Sequence, residues 1–140
     1  MMMKNQKGVI KMARKTIVFD FDGVIHKGYD GWRDGNIYGE LDRDLMSFIV
    51  ELMDEYYIVI SSNRPAEQIV EYLTQAGYPV ELFNKDMGDN MYWRNPAAIG
   101  VTNAKAVGVL YIDDHGLRYN PSHSTRRSIK DIRKALKTLC

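Results

Sequence analysis

Thiols are almost absent from this chain. Its 140 residues include one cysteine, Cys140. That excludes an intrachain disulfide and any metal cluster built from thiolates, and it fits a reducing, cytoplasmic setting. No apolar run approaches the roughly 20 residues of a membrane helix, and the N-terminus lacks the long apolar segment of a secretory signal. There is no internal repeat and no linker of the kind that separates domains. Residues 1–15 hold no acid at all.

What remains is an ordinary globular composition, 45% hydrophobic and 26% charged, long enough for one domain around one core. The net charge of +1 conceals a segregation. Residues 1–15 carry five cations, and residues 121–140 carry six against Asp131, so the two ends sum to +10. Residues 16–120 therefore hold 8 bases and 17 acids, a net −9. Basic ends on an acidic middle are compatible with attraction of phosphate or nucleic acid, and equally with a solubilising tail and the wet face of a helix. Residues 1–14, with repeated Met and scattered Lys, read as a disordered basic leader. Met12 is a rival to Met1 as the natural start.

The informative stretch is Thr16-Ile17-Val18-Phe19-Asp20-Phe21-Asp22-Gly23-Val24. Thr16 to Phe19 reads as a buried strand, and two carboxylates and a glycine follow at once. Carboxyl ends of strands are where open α/β sheets build their sites. Two close carboxylates repel each other, and a shared divalent cation is the usual reason to place them together.

Downstream, the glycine- and aromatic-rich segment 24–39 reads as a loop or short hairpin. Leu41, Leu45, Phe48, Ile49 and Leu52 predict an amphipathic helix over about 41–55. Tyr57–Ile60 reads as a strand ending at Ser61-Ser62-Asn63-Arg64. Pro65 and Gly77 bracket the next helix, and Val80–Phe83 is a third strand. Residues 84–103 carry no clear pattern. Val107–Ile112 reads as a buried strand ending in Asp113-Asp114, and Leu117–Asn120 as a short extended piece. Ile129, Ile132, Leu136 and Leu139 form the apolar stripe of a closing helix. Alternating strands and helices predict an α/β fold: a single three-layer Rossmann-like domain, with a central parallel sheet and helices on both faces.

In such a sheet Asp20 and Asp22, Ser62 with Asn63, and Asp113 with Asp114 share one edge, and Lys105 is within reach of it. This set resembles the haloacid dehalogenase superfamily of phosphohydrolases, over about residues 16–120. Asp20-Phe21-Asp22-Gly23-Val24 is similar to its first motif, the strand ending at Ser62 to its second, Lys105 to its lysine motif, and Tyr111-Ile112-Asp113-Asp114 to its acidic fourth. The resemblance implies a catalytic domain over 15–140. It implies Asp20 as nucleophile, Asp22 as acid and base, Ser62 and Lys105 on the phosphoryl group, and Gly23, Asn63 and Arg64 on phosphate or substrate. It also implies Mg2+ bound by Asp20, Asp22 through its backbone carbonyl, and the Asp113–Asp114 pair. Lys85 is a rival for the place of Lys105, and either Asp113 or Asp114 suits the direct metal ligand. Neither gap between motifs has room for a cap domain, which suggests a capless form. Its expected partner is a phosphorylated small molecule or a phosphate exposed on a macromolecule, nucleic acid included, with no membrane. The alternative is a module that holds metal and phosphate without turnover. A response-regulator receiver uses similar groups in another order: there the acidic pair comes first and the lysine last. His26 and Trp32 are expected near the nucleophile, either against substrate or in local packing. Tyr92, Trp93 and Arg94 are candidates for a substrate wall or, for the aromatics, the core, and His115 for the surface.

Overall fold

The computed structural model describes residues 14–29, 31, 33–83, 92–104, 106, 108–113, 117–118 and 125–138. Among these residues, eight strands and three α-helices follow in chain order: β1 (Lys15–Phe19), β2 (His26–Lys27), β3 (Glu40–Leu41), α1 (Arg43–Leu52), β4 (Tyr56–Ser61), α2 (Ala66–Gln75), β5 (Val80–Leu82), β6 (Ile99–Thr102), β7 (Leu110–Asp113), β8 (Leu117–Arg118) and α3 (Thr125–Thr138). Six strands form one sheet in the order β5-β6-β4-β1-β7-β8, and β2 with β3 forms a separate hairpin. Every pairing within the large sheet is parallel. The chain is an α/β protein, as its alternation of periods predicts.

Helix boundaries follow from capping chemistry. The Asp42 side chain accepts from Leu45 N at 3.0 Å and starts α1 directly after the hairpin. α2 begins after Pro65, which has no side chain to cap it. Its Ala66 N–H instead donates to Asn103 Oδ1, at 2.9 Å, from the end of β6. Arg14 donates to the Met53 carbonyl at 2.7 Å and ties the start of β1 to the end of α1.

The strands alternate cleanly between two cores. Ile17, Phe19, Ile58, Ile60, Ile99, Val101 and Ile112 face one cluster, which also takes Leu45 and Ile49 of α1, Ile69 and Leu73 of α2, and Ile132 and Leu136 of α3. Val18 and Val59 face the other, with Phe83, Trp93, Ala98 and Ala106. Residues 84–91, most of the β5–β6 connection, lie outside the described residues; among the described ones all three helices lie on the same face. The reason is the length and direction of the connections. Leftward steps in the sheet order, β1 to β4 and β4 to β5, carry helices. Of the rightward steps, β5 to β6 and β6 to β7, the described residues Phe83, Trp93, Ala98 and Ala106 pack on the opposite face, as a common crossover hand requires. The β6 to β7 step is only residues 103–109, too short for a helix. It lies on the sheet, with Ala106 buried and Val109 N donating to Thr16 O at 2.9 Å.

Trp93 covers the same face over β6. Its Nε1 donates to Ala98 O at 2.9 Å, and its ring lies so close that a Cβ on Gly100 would stand 2.6 Å from it. Gly100→Ala is expected to cost about 1–3 kcal/mol by overpacking, read as a lowered urea midpoint. An unchanged midpoint would show that the indole is not confined there.

β6 is the strand that the sequence reading left inside the unassigned 84–103. It inserts between β4 and β5. The expected strand 107–112 begins instead at Leu110, because the residues before it belong to the crossover.

Candidate active site

Register assembles the site. Phe19 pairs with Ile60 of β4 and Ile112 of β7, so the next residues, Asp20, Ser61 and Asp113, stand level at the carboxyl edge of three adjacent strands. Asp20 is half-buried. Its N–H donates to Ile112 O at 3.2 Å, and its Oδ1 accepts from Phe21 N at 2.8 Å.

After Asp20 the chain closes on itself. The Phe21 carbonyl accepts from Val24, Ile25 and His26, and Gly23 N donates to His26 O at 2.9 Å. Gly23 sits at φ 84, where an L side chain would be strained. The expected phosphate contact from Gly23 thus finds its amide engaged within the turn.

This turn brings His26 beneath Asp22. The imidazole is fully buried, and its Nδ1 stands 2.7 Å from Asp22 Oδ1. Gly39 N donates to its Nε2 at 2.8 Å. A backbone N–H can only donate, so in this arrangement the ring hydrogen sits on Nδ1 and donates to Asp22. Phe21, Tyr29 and Tyr38 surround the ring at 5.7, 5.7 and 5.2 Å between centroids. His26 therefore packs within the loop, and through it the β2–β3 hairpin is joined to Asp22. His26→Phe should keep the aromatic packing and strand the Gly39 N–H. The expected cost is about 1–3 kcal/mol, with faster hydrogen exchange at the Gly39 amide. Unchanged exchange there would remove the hairpin link.

Arg64 holds Asp22 from the other side. The guanidinium is buried, at 1% exposure, yet it is fully engaged. Nη2 donates to Asp22 Oδ1 at 3.0 Å, and Nε lies 3.2 Å from both Asp22 oxygens. Nη1 donates to the Gly35 carbonyl and to Gln68 Oε1 at 3.1 Å. Gln68 Nε2 shares that carbonyl at 2.6 Å. Arg33, Asp34 and Gly35 all have positive φ, of 44°, 58° and 81°, and this left-handed run contains the carbonyl that both side chains reach. In this arrangement Arg64 is turned onto a carboxylate and the flap, the loop that holds Gly35, rather than outward to a phosphate. Asn63, beside it, is exposed.

Ser62 is buried, and its Oγ accepts from Arg64 N at 3.1 Å. Asn103 Nδ2 donates to the carbonyls of Ser62, at 2.8 Å, and of Arg64. Together with its bond to Ala66 N, Asn103 fixes the whole β4–α2 junction. The sequence reading missed Asn103 because β6 was missed. The available signal was the alternation Ile99, Val101 followed by Thr102-Asn103, another strand ending in polar residues. Gln68, four residues after Arg64, carried no such signal.

Lys105, Asp114, Lys85, Trp32 and His115 lie outside the described residues, as do the side chain of Asp113 and the leader over 1–13. Among the described residues no group of three or more His, Cys, Asp or Glu gathers as a metal site. Trp93 belongs to the core, while Tyr92 and Arg94 are exposed. A groove of about 360 Å³ opens between the start of α2 and the ends of β5 and β6, on the side of Ser62 away from β7. Compared with protein-family models, curated proteins and solved structures, the chain finds no match.

Proposed function

We propose that this protein is a magnesium-dependent phosphomonoester hydrolase of the haloacid dehalogenase type, working through an aspartyl-phosphate on Asp20. The observation that carries the reading is the register: Asp20 ends a central strand, level with the ends of β4 and β7, which bring Ser62 and Asp113 to the same edge. The Rossmann-like view of the fold is kept, with Phe83, Trp93, Ala98 and Ala106 on the sheet face opposite the three helices.

In the mechanism, an Asp20 oxygen attacks phosphorus and the bond to the leaving oxygen breaks. Asp22 gives that oxygen a proton, then takes one from the water that attacks the aspartyl-phosphate and releases phosphate. Arg64 and His26 hold the Asp22 carboxyl group in one orientation through both steps, its transferable proton carried on Oδ2, and Asn103 sets the Ser62 turn from which the hydroxyl meets a phosphoryl oxygen. A hard cation suits the donor set of Asp20, the Asp22 backbone carbonyl and the 113–114 pair; the Asp22 carboxylate itself is committed to Arg64 and His26. Magnesium bound there would supply charge neutralisation at the phosphoryl group.

The test is hydrolysis of a generic aryl phosphate with and without magnesium, together with chemical trapping of a phosphoryl group on Asp20. Magnesium-dependent turnover with the label on Asp20 is expected. No hydrolysis of any phosphoester class would leave the non-catalytic module.

A further inference from the structure

Five of the six cations of α3 fall in one stripe. At 3.6 residues per turn, Arg126, Lys130, Arg133, Lys134 and Lys137 fall within an arc of about 100°, and all five are exposed. Its one acid, Asp131, lies off that arc. The opposite arc is used up: Ile132 and Leu136 are buried in the core shared with α1. Arg133 seats the helix, bonded to Glu51 at 3.0 Å and lying 4.8 Å over the Phe48 ring. Arg126, Lys130, Lys134 and Lys137 have no ion pair among the described residues.

From this we infer that α3 is a docking rail for a nucleic-acid strand, and that the phosphate hydrolysed at Asp20 is one borne at a strand end. The substrate class rests on the phosphatase reading; the rail does not. The stripe runs about 16 Å along the helix axis, enough for several backbone phosphates. α3 follows β8, which runs parallel to β7 toward the carboxyl edge, and its Arg133 meets Glu51 in the last turn of α1, before β4 sets out from the opposite edge. Arg126 is therefore the end of the stripe nearer the Asp20 edge. Residues 16–120, with 17 acids against 8 bases, repel a polyanion, so the stripe also fixes where the strand lies. A membrane fits poorly, because the apolar arc that would insert is already in the core.

The test uses Asp20→Asn protein and a fluorescent, terminally phosphorylated oligonucleotide, read by anisotropy across a salt series. Four cations on single-stranded backbone predict a log–log slope of about −3. Lys130→Glu with Lys134→Glu should weaken binding on the order of tenfold or more and flatten the slope by about 1.4. The same pair in otherwise wild-type protein should leave aryl phosphate turnover unchanged. Should the charge reversal unfold α3 by circular dichroism, the Lys130→Gln with Lys134→Gln pair replaces it, with a smaller loss in the same direction. Salt-independent binding, no binding, indifference to both pairs, or tighter binding to phosphatidylserine vesicles or polyglutamate would overturn the rail. Binding as described in a protein that hydrolyses no phosphoester would uphold the rail and overturn the substrate class along with the phosphatase reading.

Discussion

Asp20→Asn should lose aryl phosphate turnover by on the order of a thousandfold or more while leaving the fold intact. The substitution is nearly isosteric, and the asparagine carbonyl can still accept from Phe21 N, the bond that Asp20 Oδ1 makes at 2.8 Å. An amide nitrogen has its lone pair delocalised, and an amide oxygen carries no full charge, so neither replaces a carboxylate as nucleophile. Removal of a nucleophile elsewhere costs up to about 10⁶ in kcat, so the stated figure is a floor. The change in stability should stay within about 1 kcal/mol. Steady-state kinetics beside a urea melt separates the two quantities. Turnover near the wild-type rate would place the chemistry away from β1.

The largest stability effect is expected at the Asp22–Arg64 pair, and it should be unequal between the partners. Arg64 has no path to water, while the Asp22 side chain is 14% exposed and keeps His26. Asp22→Ala therefore leaves a sealed, uncompensated guanidinium. It should cost about 3–5 kcal/mol, on the order of 10 °C in Tm for a chain of this size. Arg64→Met leaves a carboxylate that still has a donor and some solvent, and it should cost less, even with the Gly35 carbonyl losing one partner. The double substitution should recover part of the Asp22→Ala loss, since desolvation of the pair then disappears with it. A thermodynamic cycle from urea melts measures all three. Equal single losses that simply add would mean that the pair is not coupled.

The legible parts were those whose pattern is local. Ile17 and Phe19 alternate against Val18, Asp20 and Asp22 stop the strand, and Pro65 and Gly77 bracket a helix; each signal sits within a few residues of its effect. What was not legible depends on which strands become neighbours. β6 is short and holds Gly100, whose missing side chain erases the apolar alternation just where the Trp93 ring needs room. The face each crossover takes depends on the direction of its step across the sheet, which no window of sequence encodes. The resemblance puts Arg64 on phosphate or substrate, and no local signal marks it as buried. Only the flap carbonyl of Gly35 and the side chain of Gln68, with Asp22, make its burial tolerable.

β6 comes after β5 in the chain but lies between β5 and β4. Until it inserts, β5 has no partner in the sheet, and the β4–α2 turn lacks the amide that ties its carbonyls. The pieces that precede it, from β1 through α2, are linked by nearer contacts and can form first. Asn103 rides on the last strand to enter that half of the sheet, so a partly folded chain has Ser62 and Arg64 in place but unclamped. Competence at the carboxyl edge should thus arrive together with closure of the sheet, as a late event in folding.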